Sequence, residues 1–188
     1  MRNGTLSIIS GPSGAGKGTL VARLLHSIDD AWVSVSATTR APRDGELEGV
    51  HYFFLSKDEF EDIIAHDGFL EWACVHDHYY GTLQSRVEEA MDQGKQVILE
   101  IDVQGALQVK EKMPEAHLIF IEPPSLDELE KRLRGRGTET EQEISTRLRN
   151  AKLELSLKKE YDYTLVNDNV IKATEQLVGL INSFAESE

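Results

Sequence analysis

The stretch GPSGAGK, residues 11–17, has the composition and spacing of a loop that binds phosphate. A glycine is followed by four residues and then by Gly-Lys, directly after an apolar run and before an amphipathic helical segment. In such a loop successive backbone N–H groups face an anion, and the following helix adds its positive N-terminus. Lys17 would reach the outer phosphates as a point charge. We therefore predict a phosphate site here.

The residue after the lysine is Gly18, where the common form of this motif has a Ser or Thr that binds magnesium. The next hydroxyl belongs to Thr19, which is turned by about 100° around the helix. We therefore predict that Mg²⁺ is held mainly by nucleotide phosphates and water, with no direct protein ligand assigned. Thr19 is expected to contact a phosphate.

A second anion site is indicated within SATTRAPRDGELEGVHYFF. Arg40 and Arg43 stand three residues apart there, with Ser36 before them and Tyr52 after them. Two guanidinium groups and a phenol suit a phosphate, because each arginine offers paired N–H donors. This segment therefore predicts a clamp for the phosphate of a second substrate.

Polar residues that could read a purine follow in FLEWACVHDHYYGT, which supplies Glu71, Tyr80 and Thr82. A carboxylate accepts well from two adjacent N–H groups, and guanine presents two such donors side by side whereas adenine does not. The hydroxyls of Ser36 and Thr82 could donate to the guanine oxygen. These residue types favour guanine as the base of the second substrate.

Two carboxylates, Glu100 and Asp102, lie in the apolar run VILEID. Residues two apart in a strand leave it on the same face, so both are expected at the carboxyl edge of the sheet. Ligands bind at that edge in parallel α/β folds. A pair of solvated carboxylates at a strand end is the alternative interpretation.

The elements that must position these residues alternate between strand and helix. Apolar runs of strand length occur at residues 6–9, 33–35, 52–55, 97–101, 117–121 and 164–166. Between most of them lie segments of helical period, which predicts a mainly parallel sheet flanked by helices. Capping boxes at Ser56, Ser125 and Thr140 predict helix starts, Gly94 predicts a helix end, and the last helix is expected over 170–184.

Composition limits the remaining classes of protein. The chain has 188 residues, which predicts one domain, and a net charge of −13, which argues against a nucleic-acid partner. Its only cysteine is Cys74, so an internal disulfide is excluded. No apolar run reaches the length of a membrane span. We therefore expect a cytoplasmic protein without a membrane partner.

Taken together, these segments resemble guanylate kinases over nearly the whole chain. The resemblance is carried by GPSGAGKGTL, SATTRAPRDGELEGVHYFF, FLEWA, YYGT, LEIDVQGA, IFIEPPS, RLRGRGTET and VND, in this order. It implies an α/β P-loop fold with a parallel core sheet (1–33, 83–125 and 151–188), a GMP-binding insertion (34–82) and a helical lid (126–150). It also implies transfer of the terminal phosphoryl group of ATP to GMP with Mg²⁺, giving ADP and GDP.

The resemblance further assigns roles to residues by position. The implied ATP-binding residues are Gly11, Pro12, Ser13, Gly14, Ala15, Gly16, Lys17, Gly18, Thr19 and Asn167, the last near adenine. The implied GMP-binding residues are Ser36, Arg40, Arg43, Glu46, Tyr52, Glu71, Tyr80, Thr82, Glu100 and Asp102, of which Glu46 would orient the arginines. The implied catalytic residues are Lys17, Arg43, Arg132, Arg136 and Arg147, with the last three on the lid.

Two other functions are compatible with parts of the sequence. The glycine after Lys17 also resembles the adenylate kinase loop, but Glu71, Ser36 and Thr82 favour guanine over other nucleoside monophosphates. Guanylate-kinase-like modules of scaffold proteins bind peptides and have lost catalysis. The intact phosphate loop and lid arginines favour the enzyme over such a module. The sequence leaves both a monomer and a homodimer open.

Overall fold

The computed structural model describes residues 2–135, 137 and 139–186. The strands are β1 (Thr5–Ser10), β2 (Ala31–Val33), β3 (Ala37–Thr38), β4 (Phe53–Phe54), β5 (Phe69–Val75), β6 (His78–Leu83), β7 (Gln96–Glu100), β8 (His117–Glu122) and β9 (Tyr163–Val166). The α-helices are α1 (Lys17–Ser27), α2 (Lys57–Ala65), α3 (Gln84–Asp92), α4 (Val103–Lys112), α5 (Leu126–Gly135), α6 (Glu141–Ser156) and α7 (Val170–Glu186). The predicted catalytic residue Arg136 lies outside the described residues.

The core is a five-stranded parallel sheet in the order β2-β7-β1-β8-β9. Its central strands are apolar on both faces, as a sheet covered on both sides requires. In β1, Ile8 packs with Val87 of α3 and Val109 of α4, whereas Ile9 packs with Leu24 of α1 and Leu177 of α7. The predicted parallel sheet with helices on its faces is confirmed.

A second sheet, in the order β4-β3-β6-β5, is formed by strands between residues 37 and 83, nearly the same segment as the expected insertion 34–82. Strands β3 and β4 are parallel, while β3–β6 and β5–β6 are antiparallel. The β5–β6 hairpin turns through His76 and Asp77, which both have positive φ (49° and 65°). Phe60 of α2 stacks on Phe69 of β5 and gives this sheet its own small core.

The helix boundaries follow local capping chemistry. Ser56 and Thr140 each form the predicted reciprocal capping box, and the Ser125 hydroxyl accepts from the Glu128 N–H at the start of α5. Helix α3 ends before Gly94, which has a φ of 76°. Helix α6 continues to Ser156, so the predicted lid boundary at residue 150 falls inside a helix. Among the described residues, no helix combines the length and apolar character needed to cross a bilayer.

The packing of the core sheet generates a stability prediction. Leu118 in β8 is fully buried, whereas Leu153 on α6 is 62% exposed. Leu118→Ala removes apolar contacts and leaves a cavity, so we expect a loss of about 2–5 kcal/mol in the free energy of unfolding. Leu153→Ala is the matched control and should change it by less than about 0.5 kcal/mol. Urea unfolding of both variants checks this, and equal losses would contradict it.

Candidate nucleotide site

The phosphate loop joins β1 to α1 at the carboxyl edge of the core sheet. A Cβ on Gly11 (φ 144°) would lie 2.0 Å from the backbone oxygen of Ile121 in β8. A Cβ on Gly16 (φ 93°) would lie 2.4 Å from Nδ2 of Asn167. Both positions also have a backbone conformation that side chains rarely adopt. Glycine is therefore required at both ends of the loop.

Lys17 is the first residue of α1, and its side chain folds back over the loop. Its ammonium group donates to the backbone oxygens of Gly11 (2.5 Å) and Pro12 (3.3 Å). Burial lowers the pKa of Lys17, and nearby carboxylates, first Glu100, oppose that shift. The charged end of Lys17 is thus already held at the mouth of the loop.

Asn167, after β9, braces the loop from the side. Its Nδ2 donates to the backbone oxygen of Ala15 (2.8 Å), and its own N–H donates to that of Glu122 (2.9 Å). Arg132 of α5 donates to the backbone oxygen of Asn167 (2.9 Å). The structure therefore places Asn167 against the phosphate loop, and its proximity to adenine stays a prediction.

The helices α5 and α6 bring two of the predicted lid arginines to the same place. Arg147 of α6 donates to the hydroxyl of Ser13 (3.0 Å), and its other terminal nitrogen pairs with Glu139 (3.2 Å). Buried contacts of Leu129 and Leu133 with Ala151 hold the two helices together. Arg147 therefore contacts the phosphate loop directly, and Arg132 contacts Asn167, which in turn contacts the loop.

Apart from the phosphate loop, a cavity of about 200 Å³ lies between the second sheet and α4. Five of the predicted GMP-binding residues line it: Ser36, Tyr52, Glu71, Tyr80 and Asp102. Glu71 is only 9% exposed, and its Oε1 accepts a hydrogen bond from the buried hydroxyl of Thr82 (2.6 Å). Burial raises the pKa of Glu71, although the hydrogen bond from Thr82 partly opposes this. The cavity therefore contains a carboxylate with unused acceptor capacity.

The structure gives the Thr82 hydroxyl a partner within the protein. Its single hydroxyl proton is donated to Glu71 in this structure. Donation to a guanine oxygen, as the sequence predicts, would require that proton to leave Glu71. In the observed arrangement Thr82 orients the carboxylate.

The two carboxylates of VILEID both lie close enough to Lys17 to raise its pKa, although they stand on different elements. Glu100 ends β7 and lies beside α1, where a Cβ on Gly18 would be 3.6 Å from its Oε1. Asp102 begins α4, and its Oδ1 accepts from the N–H of Gly105 (2.8 Å). Asp102 therefore faces the cavity of the second sheet, whereas Glu100 faces the phosphate loop and is not among the residues that line that cavity.

The arginine segment is organised around Glu46. Its Oε1 accepts from the guanidinium of Arg40 (2.8 Å), and its Oε2 accepts from the backbone N–H of Arg43 (2.7 Å). These hydrogen bonds lower the pKa of Glu46 to about 2. Arg40 also lies 5.4 Å from the ring centre of Tyr52, which packs edge-on against Tyr80 at 6.1 Å. The Arg43 side chain, like Thr19, is exposed.

Three residues of the site were not found from the sequence. Gln104 and Gln108 of α4 line the cavity, and their four-residue spacing in DVQGALQV is the signal that could have indicated them. Glu154 of α6 lies close enough to Lys17 to raise its pKa. Within the described ranges, no cluster of three or more His, Cys, Asp or Glu side chains could hold a metal ion.

Known proteins resemble this chain over nearly its whole length. The sequence model of the guanylate kinase family matches residues 3–184. The chain belongs to the guanylate kinase family. It is 50% identical to a guanylate kinase of Prochlorococcus marinus over 95% of this chain and 96% of that one. It is 51% identical to a guanylate kinase of Clostridium tetani over 97% of this chain and 88% of that one.

The fold of this guanylate kinase family member also matches a solved structure. The crystal structure of guanylate kinase from Anaplasma phagocytophilum is 32% identical, with a TM-score of 0.74. The match covers 99% of this chain and 88% of that chain. The P-loop α/β fold that the sequence predicts is therefore confirmed.

The close approach of Gly16 to Asn167 generates a prediction. Gly16→Ala places a methyl group on Asn167 in a strained conformation, so we expect loss of ATP binding by at least roughly tenfold. Gly179→Ala in α7 is the matched control, because nothing lies within 4 Å of its added Cβ. That control should leave ATP affinity unchanged and the fold at least as stable. Calorimetric titration with ATP measures the affinity of both variants. An unchanged affinity of Gly16→Ala would contradict a role of the Gly16–Asn167 contact in ATP binding.

Proposed function

We propose that the chain transfers the terminal phosphoryl group of ATP to GMP, giving ADP and GDP. Membership in the guanylate kinase family supports this reaction. The structural observation that carries the choice of GMP is Glu71, a buried carboxylate hydrogen-bonded to Thr82 in a cavity beside the carboxyl edge of the sheet. ATP would bind at the phosphate loop and GMP in that cavity.

GMP recognition would use both ends of the cavity. An ionised Glu71 accepts the two adjacent N–H groups of guanine, and burial strengthens such hydrogen bonds. At the other end Arg40, oriented by Glu46, lies beside Tyr52 and Tyr80 and suits the GMP phosphate. A purine without those N–H donors would leave the buried Glu71 with only the hydrogen bond from Thr82, which disfavours binding of that purine.

The transfer itself would depend on position and charge. Lys17 moves its hydrogen bonds from the loop carbonyls to the phosphates, and Arg132 and Arg147 bring further positive charge from α5 and α6. The GMP phosphate oxygen is already anionic, so no general base is required. Closure of residues 126–150 and 34–82 over the substrates would exclude water and limit ATP hydrolysis.

Mg²⁺ is the cofactor that ATP chemistry of this kind implies. A carboxylate oxygen of Glu100 lies beside Gly18 at the start of α1, and Mg²⁺ is commonly held by one or two carboxylates together with substrate phosphates and water. We propose that the phosphates and water hold most of its coordination shell and that Glu100 is the adjacent protein carboxylate. When bound, the ion neutralises charge on the phosphates. The cytoplasmic location and the oligomeric state stay predictions.

An acceptor assay tests the reaction and its base selectivity together. ADP release is measured with ATP, magnesium and one of GMP, dGMP, AMP, UMP or no acceptor. We expect turnover with GMP, a fall of roughly 100-fold or more in Lys17→Ala because the transferring phosphate loses a charged donor, and a selective loss of GMP use in Glu71→Ala.

The same assay separates the alternatives. A preference for AMP or UMP would contradict the role of Glu71 and indicate another nucleoside monophosphate kinase. Absence of turnover with every acceptor, in a folded protein that binds GMP, would favour a peptide-binding module. Circular dichroism of Lys17→Ala and Glu71→Ala controls for loss of fold.

The raised pKa of Glu71 generates a pH prediction. GMP recognition needs the ionised carboxylate, so KM for GMP should rise as the pH falls through a pKa above the ordinary value of 4.5. Glu71→Gln cannot titrate and should lack this component. The GMP phosphate titrates with both proteins, so the difference between their profiles is the measurement. Identical profiles would contradict the assignment.

A further inference from the structure

The outer edge of β5, the strand that carries Glu71, is covered by side chains of α4. Strand β5 ends the second sheet, so one row of its backbone groups has no neighbouring strand. Lys112 donates to the backbone oxygen of Phe69 (2.6 Å). Gln108 accepts from the N–H of Trp72 (3.2 Å) and donates to its C=O (3.4 Å). Lys112 and Gln108, one helical turn apart, therefore form hydrogen bonds with backbone groups that a further strand would otherwise bond.

A β-bulge lies within the covered segment. Phe69 pairs with Leu83 and Glu71 pairs with Thr82, so Leu70 is the extra residue. Phe69 lies in the core of the second sheet and Leu70 in the core of the main sheet. Bulges re-aim the side chains that follow them and locally disrupt the ladder. The direction of Glu71 thus depends on a stretch of strand that its own sheet holds weakly.

The contacts from α4 stand on both sides of that stretch. Lys112 holds the residue before the bulge, and Gln108 holds the residue after Glu71. The same helix also approaches the carboxylate, since a Cβ on Gly105 would lie 3.1 Å from Oε2 of Glu71. Helix α4 therefore determines both the backbone position and the available space of Glu71.

We propose that Gln108 is a positioning residue for guanine recognition, which fixes the Glu71 carboxylate through its paired hydrogen bonds to Trp72. This inference rests on the proposed function. The pairing needs a donor and an acceptor on one side chain, which an amide supplies and a carboxylate or an aliphatic group does not. Gln108 acts through the strand and needs no contact of its own with the base.

The test compares Gln108→Met with wild type. Methionine keeps the length and apolar stem of the side chain and removes both hydrogen bonds. Loss of two such bonds should raise KM for GMP roughly tenfold, with KM for ATP unchanged within about twofold. The preference for GMP over IMP, which lacks the 2-amino donor, should fall as well. Glu111→Gln, at an exposed position of α4, is the matched control and should leave all these values unchanged.

A double-mutant cycle separates positioning from general stability. In a Glu71→Ala background, Gln108→Met should raise KM for GMP by less than about twofold, because the group that it positions is gone. Additive effects, equal increases in KM for GMP and ATP, or an unchanged GMP-to-IMP ratio would each overturn the inference. If Gln108→Met does not fold, Gln108→Glu keeps the acceptor and the size, and the GMP-to-IMP ratio is read from that variant.

The two proposals fail in different ways. A wild-type protein without GMP turnover and without GMP binding would overturn the proposed function and this inference with it. A wild-type protein that phosphorylates GMP, together with a Gln108→Met variant of wild-type selectivity, would overturn the inference alone.

Discussion

The close packing of the phosphate loop against the carboxyl edge of the sheet is the constraint on which the rest of the site depends. Gly11 passes so near the backbone of Ile121 that no side chain fits, and Gly16 does the same beside Asn167. The loop is therefore held by β8 and by the turn after β9. Arg132 contacts that turn and Arg147 contacts the loop, so the helices α5 and α6 are aligned on the same point.

Charge presents a second constraint, because an acidic chain must bind two anionic nucleotides. The carboxylates around Lys17 oppose the lowering of its pKa by burial, but they also repel phosphate. The positive charge that offsets this repulsion comes from arginines on separate elements: Arg40 beside the second sheet, Arg132 on α5 and Arg147 on α6. Such an arrangement lets the field at the transferring phosphate change with the position of those elements.

The features that sequence predicts well are those fixed within a few residues. The phosphate loop, the capping boxes at Ser56 and Thr140 and the buried parallel strands are of this kind. Of the second sheet, the sequence indicates only the run 52–55 that contains β4, because β3 has two residues and β5 is interrupted by a bulge, so neither of these two shows a regular alternation. Glu100 and Asp102 both act on Lys17, but strand alternation does not explain the position of Asp102, because β7 ends at Glu100 and Asp102 caps α4.

Selectivity for guanine is a tertiary property that no single motif contains. Burying Glu71 disfavours its charged form, and Thr82 supplies one hydrogen bond where an ionised carboxylate can accept several. A base with two adjacent N–H donors supplies the hydrogen bonds that the buried carboxylate lacks, whereas a base without them does not. The free energy of binding therefore differs between the two bases. Such a difference requires the carboxylate to stay where the donors arrive. A flexible Glu71 would turn towards water and lose its discrimination, which is why the contacts that α4 makes along β5 matter for the chemistry of the base.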